Sequence, residues 1–163
     1  MALTLLDRIT DLQPGVSIRA IKRLRPEEEY LQDHFPRFPV MPGVLMLETL
    51  FQAASWLLHA TEDFRNTVVM LREARNVKYA DFVQPGQTLR IEVELVELGE
   101  REAIFKARGL VGEVTAVTAR LTLERYRTAE RYPDRAGWEA ESRRKLRERF
   151  ARLYQPETGV VQT

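Results

Sequence analysis

The chain contains no cysteine. Disulfides, thiolate metal sites and a cysteine nucleophile are therefore excluded, and the absence is compatible with a reducing compartment. It also has almost no net charge. Lys and Arg number 25 against 24 Asp and Glu, which leaves +1. Such a balance gives no global attraction to nucleic acid or to an anionic membrane. Long hydrophobic runs are missing too. The longest apolar stretch, Val44–Leu58, is broken by Glu48, Thr49, Gln52 and Ser55 and is too short and polar to span a bilayer. The N-terminus reaches Asp7 too early for a signal peptide. The expectation is a soluble cytoplasmic protein. No internal repeat, low-complexity linker, G-x-S-x-G, P-loop, Rossmann glycine pattern or metal-ligand cluster is found. What remains is 163 residues, 44% of them hydrophobic, which suits one domain with one core.

Leu3–Leu12 reads as a short amphipathic helix or turn before Pro14-Gly15. Val16–Leu24 alternates and reads as a strand. Pro26–Gln32 is polar and suggests a helical turn or a loop. Pro36, Pro39 and Pro42 exclude regular helix or central strand from Asp33–Gly43. Val44–Leu58 is the one long helix, starting at Pro42-Gly43, and it is apolar nearly all round, as buried helices are. Strands follow at Thr67–Val77, Thr88–Val96, Glu102–Leu110 and Val114–Leu123, with turns at Pro85-Gly86, Gly99-Glu100 and Gly112-Glu113. In Thr88–Val96 one face is apolar and one polar, the mark of an antiparallel strand with a wet side. A strand, a buried helix and a run of antiparallel strands imply an α+β fold, a curved sheet wrapped around one central helix. From Arg125 the composition turns basic. Trp138, Leu146, Phe150 and Leu153 are spaced for one helical face. Residues 126–163 are therefore expected as an amphipathic C-terminal extension to a domain of residues 1–125. The extension is expected to pack on its own domain or on a sister subunit rather than to dock an acidic carrier. Disorder is expected for Gln155–Thr163.

The chemistry concentrates in His34–Gln52. His34 lies in a proline-stiffened loop, and histidine as a residue type is the default general base near neutral pH. Glu48 lies within the apolar helix, where a carboxylate must find a partner, be protonated or face a cavity. Burial would raise its pKa, as a general acid near neutral pH requires. Gly43 opens the helix, where free N–H groups and roughly half a positive charge point outward. Having no side chain, Gly43 allows a carbonyl to approach closely, in the manner of an oxyanion hole. Taken singly, the bland reading wins for each part: a solvated histidine, a paired glutamate, a turn. Together they describe proton abstraction beside a carbonyl, with an acid to assist a departing hydroxyl.

On these residues the sequence resembles the 3-hydroxyacyl-acyl-carrier-protein dehydratases of bacterial fatty-acid synthesis, the FabZ-like branch of the hot-dog fold. The matching positions are His34-Phe35-Pro36, Pro39-Val40-Met41-Pro42-Gly43-Val44-Leu45, Glu48 and Gln52. Looser likeness continues through Phe82–Gly86 and Gly112–Leu123 and covers roughly residues 14–125. The resemblance implies that His34 acts on the α-proton, that Glu48 protonates the leaving 3-hydroxyl, and that the Gly43 N–H holds the thioester oxygen. It assigns Phe35, Pro39, Met41, Val44 and Gln52, with Gly43, to substrate binding. It implies no metal and no organic cofactor, and an acyl carrier protein bearing a phosphopantetheine-linked chain as partner. The His and the Glu of one site come from different subunits in that family. A homodimer is expected, and a trimer of dimers beyond it, since several members form hexamers.

Two positions depart from the family pattern. Arg37 stands where the family has Gly, so it could reach the phosphopantetheine phosphate or close the tunnel. Gln87 replaces the Asp of Pro-Gly-Asp. Glu48, rather than Asp, favours the plain dehydratase over dehydratase-isomerases. The alternatives are a thioesterase or hydratase on the same fold, and a non-catalytic carrier-binding subunit. His59 reads as a cationic cap at the helix C-terminus. Trp56 reads as core or interface, and Arg72, Arg75 and Lys78 as a solvated strand face.

Overall fold

The computed structural model describes residues 4–28, 31 and 39–157. Its first strands are β1 (Arg8–Gln13) and β2 (Ser17–Arg23), followed by helix α1 (Gly43–Thr61). Four longer strands come next: β3 (Val68–Tyr79), β4 (Thr88–Leu98), β5 (Glu102–Val111) and β6 (Val114–Tyr126). A short helix α2 (Thr128–Arg131), a 3-10 turn (Pro133–Arg135) and helix α3 (Gly137–Leu153) close the chain. The six strands form one sheet in the order β1-β2-β4-β5-β6-β3, every neighbouring pair antiparallel.

The alternation of apolar and polar residues decides which way the sheet faces. Leu89, Ile91 and Val93 of β4, Ala103, Phe105 and Ala107 of β5, and Ala119, Leu121 and Leu123 of β6 point to one side and are buried. Against them lie Met46, Leu50, Ala53, Ala54, Leu57 and Leu58 of α1. This is the α+β arrangement expected, a sheet wrapped around one central helix. Gly112 has φ +60° and forms the tight turn of the β5–β6 hairpin, where Val111 pairs with Val114. Gly86 has φ +93° and turns the chain from the Val83 segment into β4. At that turn Gln87 replaces the charge of an aspartate with an amide: its Oε1 accepts the Gln84 N–H at 2.7 Å.

Two expectations need correction. Leu3–Leu12 was expected as helix or turn, yet β1 occupies Arg8–Gln13. The spacing of Leu5, Leu6, Ile9 and Leu12 suits a helical stripe, but a β2 edge lies ready to pair, and Ile9 is wholly buried as part of a strand. Disorder was expected from Gln155 onward. Instead, the Gln155 N–H donates to Ile9 O at 3.0 Å and the Glu157 N–H to Thr10 O at 3.1 Å. Residues 158–163 lie outside the described residues. The amphipathic helix expected in the extension is α3, and it packs on its own domain. Leu153 is buried in the core, and Phe150 meets Trp56 and Phe64 with ring centroids 5.9 and 5.6 Å apart.

Candidate active site

Helix α1 begins after Pro42, whose ring holds φ at −59° and leaves no N–H, and whose ψ of 138° keeps it outside the helix. No side chain among the described residues caps this end. The Pro42 carbonyl accepts the Leu45 and Met46 N–H groups at 2.9 and 3.1 Å, whereas Gly43 and Val44 N–H have no partner among the described residues. Val44 is exposed. A side chain at position 43 would press on the Tyr79 ring, 3.1 Å from where its Cβ would stand. The glycine thus lets the helix start lie directly beneath an aromatic ring at the end of β3. The preceding segment is anchored by Met41 N–H to Val83 O at 2.9 Å. Of the residues assigned to substrate binding, Met41 is buried in the core, Pro39 is half-buried and Gly43 and Val44 stand at the uncapped helix end.

Glu48 lies five residues further along, about 7.5 Å down the helix axis. It is half-buried, on the stripe Val44–Glu48–Gln52–Ser55 that the rest of the core leaves uncovered. The partner that a carboxylate in this helix requires is Gln52, one turn on. Gln52 Nε2 donates to Glu48 Oε2 at 3.1 Å, and Gln52 Oε1 accepts the Leu5 N–H at 3.0 Å. The carboxylate is therefore held by an amide that is itself held by the N-terminal segment. Sequence reasoning missed the Leu5 amide and Tyr79. A backbone donor 47 residues away leaves no signal in the sequence, and an aromatic at a strand end is too common to stand out.

His34, Phe35 and Arg37 lie outside the described residues. Two surface grooves, of about 760 and 490 Å³, lie away from Glu48. The larger runs over the outer sheet face past Lys78, Lys106 and Arg120, and the smaller runs beside the β4–β5 turn. Arg72 is paired with Glu102 and Glu124, and Arg75 with Glu73, as a solvated strand face would have it.

His59 is no cationic cap. It lies in the last turn of α1, but it is buried, stacked on Phe64 (centroids 5.7 Å apart, planes 5° apart) and close to Trp56. Burial pushes its pKa down to about 4, against weaker support from the Asn66 backbone and Glu62, so it is a neutral ring at pH 7. Trp56 is core, as expected.

A six-stranded antiparallel sheet folded around one central helix is the hot-dog arrangement. The chain belongs to the FabA-like domain family, whose profile matches residues 1–120. It is 40% identical over 117 residues to a 3-hydroxyacyl-[acyl-carrier-protein] dehydratase FabZ of Levilactobacillus brevis, covering 72% of this chain and 79% of that one. It is 43% identical over 122 residues to the protein of the same name in Albidiferax ferrireducens, covering 72% and 81%. Among solved structures it is similar in fold to the dehydratase heterocomplex ApeI:P of Xenorhabdus doucetiae. There the TM-score is 0.63 at 20% identity, over 75% of this chain and 82% of the other.

Proposed function

We propose that this chain dehydrates 3-hydroxyacyl-acyl carrier protein to the trans-2-enoyl thioester in fatty-acid biosynthesis, using His34 as base and Glu48 as acid. The relatives support the reaction. The observation that carries the residue assignment is the Glu48 carboxylate, held by Gln52 on the uncovered stripe of α1, a turn and a half from an uncapped helix start. His34 removes a proton from C2. The C2–H electron pair forms the C2=C3 double bond as the C3–O bond breaks. Glu48 gives its proton to the leaving hydroxyl, and water departs. The Gly43 N–H, at the positive end of α1, stabilises the thioester oxygen as negative charge develops there. Neither metal nor organic cofactor takes part.

The acid and the base of one site come from two protomers of a homodimer. The sheet supports this reading. Its β1 edge is covered by the chain's own C-terminal residues, while β3, at the other edge, pairs among the described residues only with β6 and exposes Met70, Leu71 and Tyr79. An open strand edge with apolar side chains is a natural place for a second copy to pair. Tyr79 also overlies Gly43, so this edge borders the helix start. A trimer of dimers would extend the same assembly. A cytoplasmic location fits a cysteine-free chain, and no helix among the described residues is long and apolar enough to cross a membrane.

The test is turnover of 3-hydroxyacyl-acyl carrier proteins of graded chain length, with enoyl formation followed by mass. His34→Ala and Glu48→Gln should each lower kcat by a factor on the order of 10²–10⁴, as loss of a general acid or base does. Wild-type turnover by either variant would overturn the assignment. Free thiol release without enoyl product would mark a thioesterase instead.

A further inference from the structure

We propose that the C-terminal tail, Tyr154–Glu157, is a positioning element for the Glu48 carboxylate, acting through β1, the Leu5 amide and Gln52. The inference rests on Glu48 being the acid of the dehydration described above. The tail lies beyond the part of the chain matched to the family, residues 1–120, so its role has to come from its own contacts.

Strand β1 borders β2 on one side only. Its pairing is also interrupted. The register shifts between Ile9 and Asp11, so Thr10 is the extra residue of a bulge. The tail lies along the other side and takes up the carbonyls there. Tyr154 bridges Ile9 in parallel, the Gln155 N–H donates to Ile9 O, and the Glu157 N–H donates to the bulged Thr10 O. Arg8 Nε returns a bond to Gln155 O at 3.2 Å. The tail is itself fixed by α3. Leu153 is buried, and the Tyr154 ring stacks on Phe150 with centroids 5.3 Å apart.

From the bulge the chain runs back four residues from Ile9 to Leu5. The Leu5 N–H holds Gln52 Oε1, which leaves the amide nitrogen aimed at Glu48. An amide gripped at its oxygen cannot flip, so the donor to Glu48 is set by where Leu5 stands. Asp7 adds a second tie to β2 by accepting the Arg23 N–H, so losing the tail loosens this support without unfolding it.

Gln155→Pro and Glu157→Pro each delete one tail N–H, and a chain ending at Leu153 deletes the tail outright. Each should lower kcat on the order of five- to ten-fold, the scale of one lost hydrogen bond, and hold KM within about two-fold. The melting transition should remain cooperative. Combined with Gln52→Ala, the tail variants should add little to the loss from Gln52→Ala alone, because both remove the same support. Hydrogen exchange at the Leu5 amide should accelerate in the tail variants, a readout that needs no substrate. Unchanged kcat, losses that multiply with Gln52→Ala, or unchanged protection at Leu5 would each overturn the proposal. A wild-type chain without dehydratase turnover overturns the functional reading instead, and exchange at Leu5 still decides the tail's part.

Discussion

His59 shows how one side chain changes character with its surroundings. In the unfolded chain it titrates near its ordinary value of 6.5, and in the fold near 4. The folded state therefore binds fewer protons than the unfolded state between these values. Stability from this group is fully present above pH 6.5 and is lost as pH falls toward 4. A shift of that size corresponds to about 3 kcal/mol. The His59 Nδ1 is also buried without a hydrogen-bond partner among the described residues. His59→Phe, which keeps a ring between Trp56 and Phe64, should flatten the stability loss between pH 6.5 and 4 and leave dehydratase activity intact. Urea denaturation at a series of pH values checks it, and an unchanged acid slope would show that other groups carry the effect.

Between elements, the tie most exposed to a single change is Arg125 at the end of β6. Its guanidinium donates to both Glu62 oxygens at the end of α1, the shortest bond being 2.8 Å, and to Gly99 O in the β4–β5 turn at 2.8 Å. Both charged side chains are about 95% buried or nearly so, at 5% and 7% exposed. Removing one partner from such a pair leaves an uncompensated charge. Arg125→Met should cost about 3 kcal/mol, the low end of the usual range, because Asn66 still donates to Glu62. Arg125→Met with Glu62→Leu should recover most of the loss in urea denaturation. A double variant as unstable as the single one would place the cost in packing rather than in charge.

At the scale of the molecule, the two edges of the sheet have different fates. The tail covers β1, while β3 pairs with β6 alone among the described residues and, in the proposed dimer, would face the second copy. If His34 and Glu48 of one site belong to different subunits, two inactive variants can complement each other. Refolding His34→Ala and Glu48→Gln chains together in equal amounts should restore activity to about a quarter of wild type. Half of the dimers would be mixed, and each would hold one intact site of two. Activity no higher than that of the separate variants would place both residues in one subunit. Sedimentation should show the dimer throughout.

The sequence by itself determined the helix, the four long strands, the turns at Gly86 and Gly112, and the segment carrying Glu48. Those features are written in local periodicity and in a run of chemistry-bearing residues within 19 positions. Strand alternation reads directly as which face meets the core, because successive side chains point to opposite sides. Only the tertiary structure decided β1, since Leu5, Leu6, Ile9 and Leu12 satisfy a helical spacing until β2 offers a partner. It alone decided that His59 is neutral, because its environment comes from Phe64 and Trp56 rather than from its place at a helix end. The hold on Glu48 likewise depends on a backbone amide 47 residues from Gln52, and the cover of β1 on residues near the far end of the chain. Such contacts follow from topology, which sets the neighbours that a one-dimensional pattern cannot specify.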